Sequence, residues 1–116
     1  MEDIFTMRLE KTFFDALRSG EKIYEIRVND AKRRTLEVGN LITFISRENE
    51  QDTFTCTVEQ LLYFDSFVDL FSSLRKEDCG FSQKQTADEI EDMFLQYYTA
   101  KELAKDGLVA IKVRKI

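Results

Sequence analysis

The pattern of apolar and polar residues divides the chain into strands and helices. Five short segments rich in β-branched and aromatic residues predict strands. They span residues 4–9, 22–28, 41–46, 53–64 and 108–116. Apolar residues spaced three and four apart instead predict helices over residues 10–18, 67–74 and 88–98, with a further short helix after Thr99.

Residues that cap helices support these boundaries. Ser66 precedes the second helix, and Thr86 and Thr99 each stand three residues before a glutamate, which is the sequence pattern of a capping box. Gly20 and Gly107 follow the first and last helices, where a glycine readily ends a helix. The helix limits are therefore predicted from local chemistry as well as from periodicity.

The order of the elements favours an α+β fold over a parallel α/β fold. One strand and one helix come first, three strands follow, and the remaining helices precede a final strand. A strand that returns after such a helical excursion fits a small, partly closed barrel whose ends pair with its beginning. Residues 29–40 are predicted to form a long turn anchored by Leu36 and Val38. No linker or low-complexity segment interrupts the sequence, so residues 1–116 are predicted to form a single domain.

Composition excludes several classes of enzyme. The chain of 116 residues contains no histidine and only two cysteines, so Ser-His and Cys-His nucleophile pairs are impossible and a zinc site has few ligands. The sequence contains no glycine-rich phosphate-binding loop. We therefore predict no metal and no cofactor. An enzyme of this sequence would have to work with Lys, Glu, Asp, Tyr, Ser or Thr.

The sequence also indicates the compartment. It has no apolar stretch of ~18 residues that could cross a membrane, and Met1, Glu2 and Asp3 do not begin a signal peptide. We expect a cytoplasmic protein without a membrane partner, in which Cys56 and Cys79 are free thiols of a reducing compartment. The oligomeric state is left open.

Basic residues are concentrated in one part of an acidic chain. The formal net charge is -5, yet residues 18–34 sum to +3 and residues 48–106 to -9. Alternation along the second strand places Glu25, Arg27 and Asn29 on one face. This row is either a solvated surface with a weak Glu25–Arg27 pair or the polar floor of a cleft. In a cleft, Arg27 would offer its guanidinium to an anion or a base edge.

The segment GEKIYEIR, residues 20–27, resembles the G-x-K-x-x-E-x-R signature of the ASCH domain family, which belongs to the PUA-like superfamily. The resemblance covers nearly the whole chain. VGNLITF (38–44) is similar to a strand of the family, and FDSFVDLFSSL (64–74), CGF (79–81) and YYTAKELAKDGLVAIKV (97–113) are similar to the later part of bacterial single-domain members. It implies a small PUA-like mixed β-barrel flanked by helices, with a cleft that binds RNA or a nucleotide.

The resemblance also implies a set of site residues. Lys22, Glu25 and Arg27 match the signature itself. The extension that follows it in close relatives, and the aromatic position of the tail, add Asn29, Asp30, Lys32, Arg33 and Tyr98. In an RNA-binding protein Arg27 and Lys22 would contact phosphate, and Glu25 would accept from an amino group of a base. Tyr98 and the preceding Tyr97 either stack on a base or pack in the core.

Two other functions stay open, one of them enzymatic. One branch of the family is similar to amidohydrolases that remove the acyl group of N4-acetylcytidine with a Lys of the signature, a Thr three residues later and a separate Glu. Here Lys22 is present but Glu25 stands in place of the Thr, so a carboxylate would have to act as a base on water or form an anhydride. A further branch has ribonuclease behaviour, through a motif that does not map onto this chain. The other open function is a binding module for a non-nucleic anion or a protein partner.

Overall fold

Five strands and four α-helices build the fold of residues 4–116, which a computed structural model describes. In chain order they are β1 (Ile4–Leu9), α1 (Lys11–Ser19), β2 (Tyr24–Val28), β3 (Leu41–Ser46), β4 (Thr53–Phe64), α2 (Phe67–Ser73), α3 (Ala87–Phe94), α4 (Ala100–Asp106) and β5 (Leu108–Lys115). Two short 3-10 helices lie at Arg33–Thr35 and Glu77–Cys79. The α+β class and the predicted order of elements are confirmed.

The strands form one curled, mixed sheet, a half-barrel with the order β1-β3-β4-β5-β2. β1 and β3 pair in parallel, and the other neighbouring strands pair antiparallel. The final strand returns to the sheet, as predicted, and lies between β4 and β2 with Ile111 opposite Glu25. It does not pair with β1, so the sheet stays open between its two edge strands, β1 and β2.

Both faces of the sheet are buried, and each has its own apolar core. One core joins α1 to the sheet and contains Phe14 and Ile111. The other joins α2, α3 and α4 to the sheet and contains Ile90 and Ala110. Neighbouring residues of a strand point to opposite faces, which is why β5 contributes to both cores. Glu25 lies opposite Ile111 and so shares the face of the first core.

The predicted helix caps are present. The side-chain oxygens of Thr86 and Thr99 accept hydrogen bonds from the backbone N–H groups of Glu89 and Glu102, and each glutamate accepts in return from the threonine N–H. Gly20 ends α1 in the left-handed conformation at φ 90°, which glycine adopts without a steric cost.

α3 ends at Phe94 and not, as predicted, at Tyr98. The N–H groups of Tyr97 and Tyr98 both donate to the C=O of Phe94, at 2.9 and 3.0 Å, which closes a tight turn. The following helix needs Thr99 in an extended conformation as its N-cap, so the chain has to leave helical geometry before that residue. The turn brings the hydroxyl of Tyr97 to Glu10, at the start of α1.

Residues 29–40 form the predicted long connection, but only one of its two expected anchors is buried. Leu36 is buried, whereas Val38 is 65% exposed, so the prediction for Val38 is wrong. Backbone hydrogen bonds hold this end of the turn instead. The N–H of Gly39 donates to the C=O of Val58 at 2.8 Å, and the N–H of Val58 donates to the C=O of Asn40 at 2.9 Å.

Candidate functional site

Three charged side chains of the GEKIYEIR segment form a compact cluster beneath the seam between β1 and β2. The Nζ of Lys22 lies 2.6 Å from Oε1 of Glu25, and the Nε of Arg27 lies 2.7 Å from Oε2. The side chains of Lys22 and Glu25 are only 4% and 5% exposed, and that of Arg27 is 15% exposed. The interpretation of this row as a solvated surface is therefore wrong. We call Lys22, Glu25 and Arg27 together the ionic floor.

Lys22 is fixed by its backbone as well as by its ammonium group. After the reversal at Gly20, its N–H donates to the C=O of Ala16 at 3.0 Å, and the next N–H, of Ile23, donates to the C=O of Asp78 at 2.8 Å. The ammonium lies 4.6 Å from the ring centre of Phe13, within the range of a cation–π contact. The chain on both sides of Lys22 is thus tied to neighbouring elements before the side chain reaches Glu25.

A glycine makes room for the lysine stem. Gly80 follows the 3-10 helix Glu77–Cys79 in the left-handed conformation at φ 86°. A Cβ at this position would lie 2.8 Å from Cδ of Lys22 and 3.1 Å from Cδ1 of Phe13. The first distance is shorter than real Cβ contacts and the second is tighter than most, so a side chain at this position would require Lys22 and Phe13 to shift.

The charge state of Glu25 is set by its two cationic neighbours. Burial on its own would raise the pKa of Glu25, but the ammonium of Lys22 and the guanidinium of Arg27 outweigh it and hold the pKa of this carboxyl below its ordinary value of 4.5. Glu25 is therefore a carboxylate at neutral pH.

Arg27 also joins the two edges of the half-barrel. Its Nη2 donates to the backbone C=O of Arg8 at 3.0 Å, while its Nε stays on Glu25. Arg27 belongs to β2 and Arg8 to β1, so the guanidinium spans the seam that the backbone leaves open.

The ionic floor closes the bottom of a pocket of about 390 Å³. This volume lies within the range of ~300–1,000 Å³ that is common for small-molecule sites. The walls come from the end of β1, the start of α1, β2, the β3–β4 hairpin, the segment after the 3-10 helix Glu77–Cys79, and the end of α3 with the turn that follows it. The wall residues are Arg8, Leu9, Glu10, Phe13, Ile26, Arg47, Phe81, Met93, Phe94, Gln96, Tyr97 and Tyr98. Four basic and two acidic side chains are among the lining residues, so the pocket is locally positive in an acidic protein.

The rim of the pocket is formed by an aromatic ring between two charged groups. The hydroxyl of Tyr97 donates to Oε1 of Glu10 at 3.3 Å, and the guanidinium carbon of Arg47 lies 5.8 Å from the centre of the Tyr97 ring. Tyr97 is 62% exposed, whereas Tyr98 is half-buried and packs against the helical core while it also lines the pocket.

The structure brings only part of the predicted set together. Lys22, Glu25, Arg27 and Tyr98 line the pocket, with Tyr97 at its rim. The other four predicted residues are not in the lining: Asn29, Asp30, Lys32 and Arg33.

The reason for this separation is that β2 ends at Val28. The N–H of Asn29 still donates to the C=O of Gly107, and the chain then enters the turn that leads to the 3-10 helix Arg33–Thr35. Asp30 accepts from the backbone N–H and the Nη1 of Arg33, both at 3.0 Å, and Lys32 is exposed in the same turn. The strand period that placed Asn29 beside Glu25 does not continue beyond the strand.

Three charged lining residues had no signal in the sequence: Arg8, Glu10 and Arg47. They meet because β1 and β3 pair in parallel, with Leu9 opposite Ser46. The N–H of Arg47 then donates to the C=O of Leu9 at 2.9 Å. The proximity of these residues depends on the pairing of two strands that lie 37 residues apart in the sequence, and no local pattern predicts that pairing.

Within residues 4–116, no group of three or more Cys, Asp or Glu side chains is placed to hold a metal ion. No helix in the same range is long and apolar enough to cross a membrane.

A comparison with protein families agrees with the fold. The sequence model of the ASCH domain matches residues 7–116, so the chain belongs to the ASCH domain family. No curated protein sequence matches the chain.

Solved structures of related folds cover almost the entire chain. The hypothetical protein PH0355 superposes with a TM-score of 0.80 at 23% identity, over 98% of this chain and 100% of that one. The protein PF0455 from Pyrococcus furiosus gives 0.74 at 19% identity, over 98% of both chains. The ASCH protein from Zymomonas mobilis gives 0.65 at 16% identity, over 96% of this chain and 66% of that one. At these identities the similarity shows a common PUA-like fold.

Proposed function

We propose that the pocket binds one unstacked nucleotide of single-stranded RNA, with the base edge on the ionic floor. The observation that carries this proposal is the combination of a buried, hydrogen-bonding floor with an aromatic and cationic rim around about 390 Å³. Protein sites that read RNA bases use this combination, because an unstacked base offers both polar edges and a flat face. The RNA binding proposed for the ASCH domain family supports the choice of ligand.

The base, and not the phosphate, is the part of an RNA chain that fits the floor. The sugar-phosphate backbone continues on both sides of each nucleotide, so only the base can reach the bottom of a pocket. An ammonium carries several N–H donors, and Lys22 gives one of them to Glu25. Each oxygen of Glu25 accepts one bond and retains further acceptor capacity. A donor and an acceptor thus lie side by side, which matches the polar edge of a base.

Aromatic side chains around the pocket provide surfaces for the flat face of the base. Phe13, Phe94 and Tyr98 line the walls, and Tyr97 stands at the rim. Stacking of a base on such a ring contributes roughly 1–3 kcal/mol and tolerates any base.

The distribution of charge supports a short binding site. In the basic turn that follows β2, Arg33 pairs with Asp30 and Arg34 pairs with Asp106 at 2.8 Å. These two arginines are therefore largely neutralised, whereas four basic and only two acidic side chains line the pocket. A long track of phosphate-binding residues is not required for the recognition of one nucleotide.

The experiment is a binding titration of a short fluorescent single-stranded RNA of mixed sequence, repeated over a salt series. We expect the Arg27→Ala and Glu25→Gln variants to bind at least tenfold more weakly, because a hydrogen bond to a charged group contributes about 1.5–3 kcal/mol. Arg114→Ala is the matched control, since Arg114 is exposed, pairs with Glu59 and lies outside the pocket. The slope of affinity with salt should correspond to only a few phosphates, at about 0.7 per phosphate for a single strand.

A duplex of the same sequence should bind far more weakly than the single strand, because its bases are stacked and paired. Thermal melts of each variant identify any loss of binding that comes from unfolding. No binding by the native protein, or equal binding by the floor variants and Arg114→Ala, would contradict the proposal.

A hydrolase acting on an acylated nucleoside is the second candidate, because Lys22 and Glu25 do share one pocket with room for a base. Its weak point is the lowered pKa of Glu25, since a general base works best with a pKa near the operating pH. The test is to incubate the protein with N4-acetylcytidine and to measure cytidine and acetate by chromatography. Release that disappears in Lys22→Met and Glu25→Gln would favour the enzyme over the binding module.

A further inference from the structure

Among residues 4–116, Arg47 differs from the other arginines in its lack of a carboxylate partner. The described residues include all eight arginines of the chain, and seven of these form an ion pair with Asp or Glu. Arg47 is the eighth, and within residues 4–116 it has neither an ion pair nor a side-chain hydrogen bond. It is also one of the four basic residues that line the pocket.

The lack of a partner is not caused by a shortage of acidic residues nearby. The β3–β4 hairpin that carries Arg47 also carries Glu50 and Asp52. Glu50 pairs with Arg8 at 2.9 Å, and Asp52 pairs with Arg18 at 2.8 Å. Two of the three carboxylates of the hairpin are thus bound to arginines from β1 and α1, and the third, that of Glu48, forms no ion pair with Arg47.

The position of Arg47 is set by the sheet, although its side chain is exposed. Its N–H donates to the C=O of Leu9 at 2.9 Å, which fixes its backbone to the end of β1. Its guanidinium carbon lies 5.8 Å from the centre of the Tyr97 ring, so the charged group stands over the rim of the pocket. A guanidinium that packs against an aromatic ring still has N–H groups at its edge, and a phosphate can accept two hydrogen bonds from them.

We infer that Arg47 forms a phosphate subsite at the mouth of the pocket, so that the site prefers phosphorylated nucleotides to nucleosides. This inference rests on the proposed function. The base occupies the ionic floor, where Lys22 and Arg27 also pair with Glu25. The phosphate of the same nucleotide therefore has to be bound by another residue. Arg47 lies at the mouth, where the backbone of the nucleotide leaves the pocket, and it pairs with no carboxylate of residues 4–116. Arg8, the other exposed arginine of the lining, already pairs with Glu50.

The experiment measures the affinity of four nucleoside 5′-monophosphates and of the four matching nucleosides by calorimetry. We expect the native protein to bind at least one monophosphate tenfold or more tightly than its nucleoside. Arg47→Ala should reduce this ratio of affinities to nearly one and leave the nucleoside affinity within about twofold. Arg47→Lys should keep part of the ratio, since lysine retains the charge but lacks the paired N–H donors of the guanidinium. Arg114→Ala is again the matched control and should keep the full ratio.

Failure of the inference and failure of the proposed function give different results. If nucleosides and monophosphates bind the native protein equally, and both lose affinity in Glu25→Gln, the proposed function stands and the phosphate subsite is refuted. An unchanged ratio in Arg47→Ala refutes the subsite as well. If neither the nucleotides nor the RNA bind the native protein, both proposals fail together.

Discussion

The Nζ of Lys22 lies 2.6 Å from Oε1 of Glu25, with both side chains almost completely buried. Taking two such charges out of water costs several kcal/mol, and their mutual attraction offsets that cost only while both are present. Arg27 adds a second cation at 2.7 Å from the other carboxylate oxygen. The cluster is therefore more sensitive to the loss of one member than an ion pair on the surface would be.

Removal of the central carboxylate should destabilise the protein. We expect Glu25→Ala to lower the free energy of unfolding by about 3–5 kcal/mol, because it leaves the Lys22 ammonium buried without a counter-charge. Urea denaturation followed by circular dichroism measures the change. Glu50→Ala, which removes an exposed partner of Arg8, should cost within about 1 kcal/mol. Equal losses in the two variants would show that the Lys22–Glu25 pair is solvated.

The effect of Glu25 on stability should depend on pH. The folded-state pKa of Glu25 lies below its unfolded value of 4.5, so its ionisation contributes stability that is fully present above about pH 4.5 and is lost as the pH falls through the folded pKa. The difference in unfolding free energy between the native protein and Glu25→Gln should therefore shrink on acidification. Denaturation curves from pH 7 down to pH 3 test this, with Glu37→Gln at an exposed position as the control. A difference that stays constant or grows would contradict the assignment.

Gly80 should be less tolerant of a methyl group than another glycine with the same backbone conformation. Gly80→Ala and Gly39→Ala both place an alanine at a positive φ, 86° and 96°, which costs roughly 1–2 kcal/mol in each case. Only the Cβ at position 80 meets neighbours, whereas nothing lies within 4 Å of a Cβ at position 39. We expect Gly80→Ala to lose about 1–3 kcal/mol more, from overpacking against Lys22 and Phe13. Matched stabilities would mean that the lysine stem moves aside freely.

The two cysteines should be unreactive in the folded protein. Burial raises the pKa of the Cys79 thiol to about 12 and that of Cys56 to about 11, so the reactive thiolate is scarce at pH 8. A thiol-reactive chromophore should therefore label neither residue rapidly in the native state and both in guanidinium. Rapid labelling of Cys79 in the native protein would indicate that the segment beneath Lys22 opens readily.

The features that the sequence predicts well are those that depend on neighbouring residues. Thr86 and Thr99 form their capping boxes with side chains three residues away, so the chemistry that starts α3 and α4 is complete within each motif. Gly20 likewise ends α1 by its own conformational freedom. The strand period places Glu25 and Arg27 on one face and the resemblance adds Lys22; the structure brings these three side chains into one cluster.

The features that the sequence does not predict depend on contacts between distant segments. The end of α3 at Phe94 follows from the N-cap geometry of the next helix, with no Gly or Pro to mark it. Alternation groups Asn29 with Glu25 only for a strand that continues past Val28, and β2 ends there. Arg47 has no signal in the sequence, since its place beside Leu9 arises only from the parallel pairing of β1 and β3.

The pairing of β2 with β5 has a consequence for the order in which the protein folds. Tyr24 lies opposite Lys112, and Val28 lies opposite Leu108. The strand that carries Glu25 and Arg27 therefore pairs with a strand at least eighty residues further along the chain. During synthesis the signature segment leaves the ribosome early and then has to wait for residues 108–115 before it can join the sheet. Contacts of such high sequence separation form slowly, because the loop between them must first be closed. The charged residues of the signature segment protect it before it pairs with β5, because charges on a strand without a partner discourage aggregation.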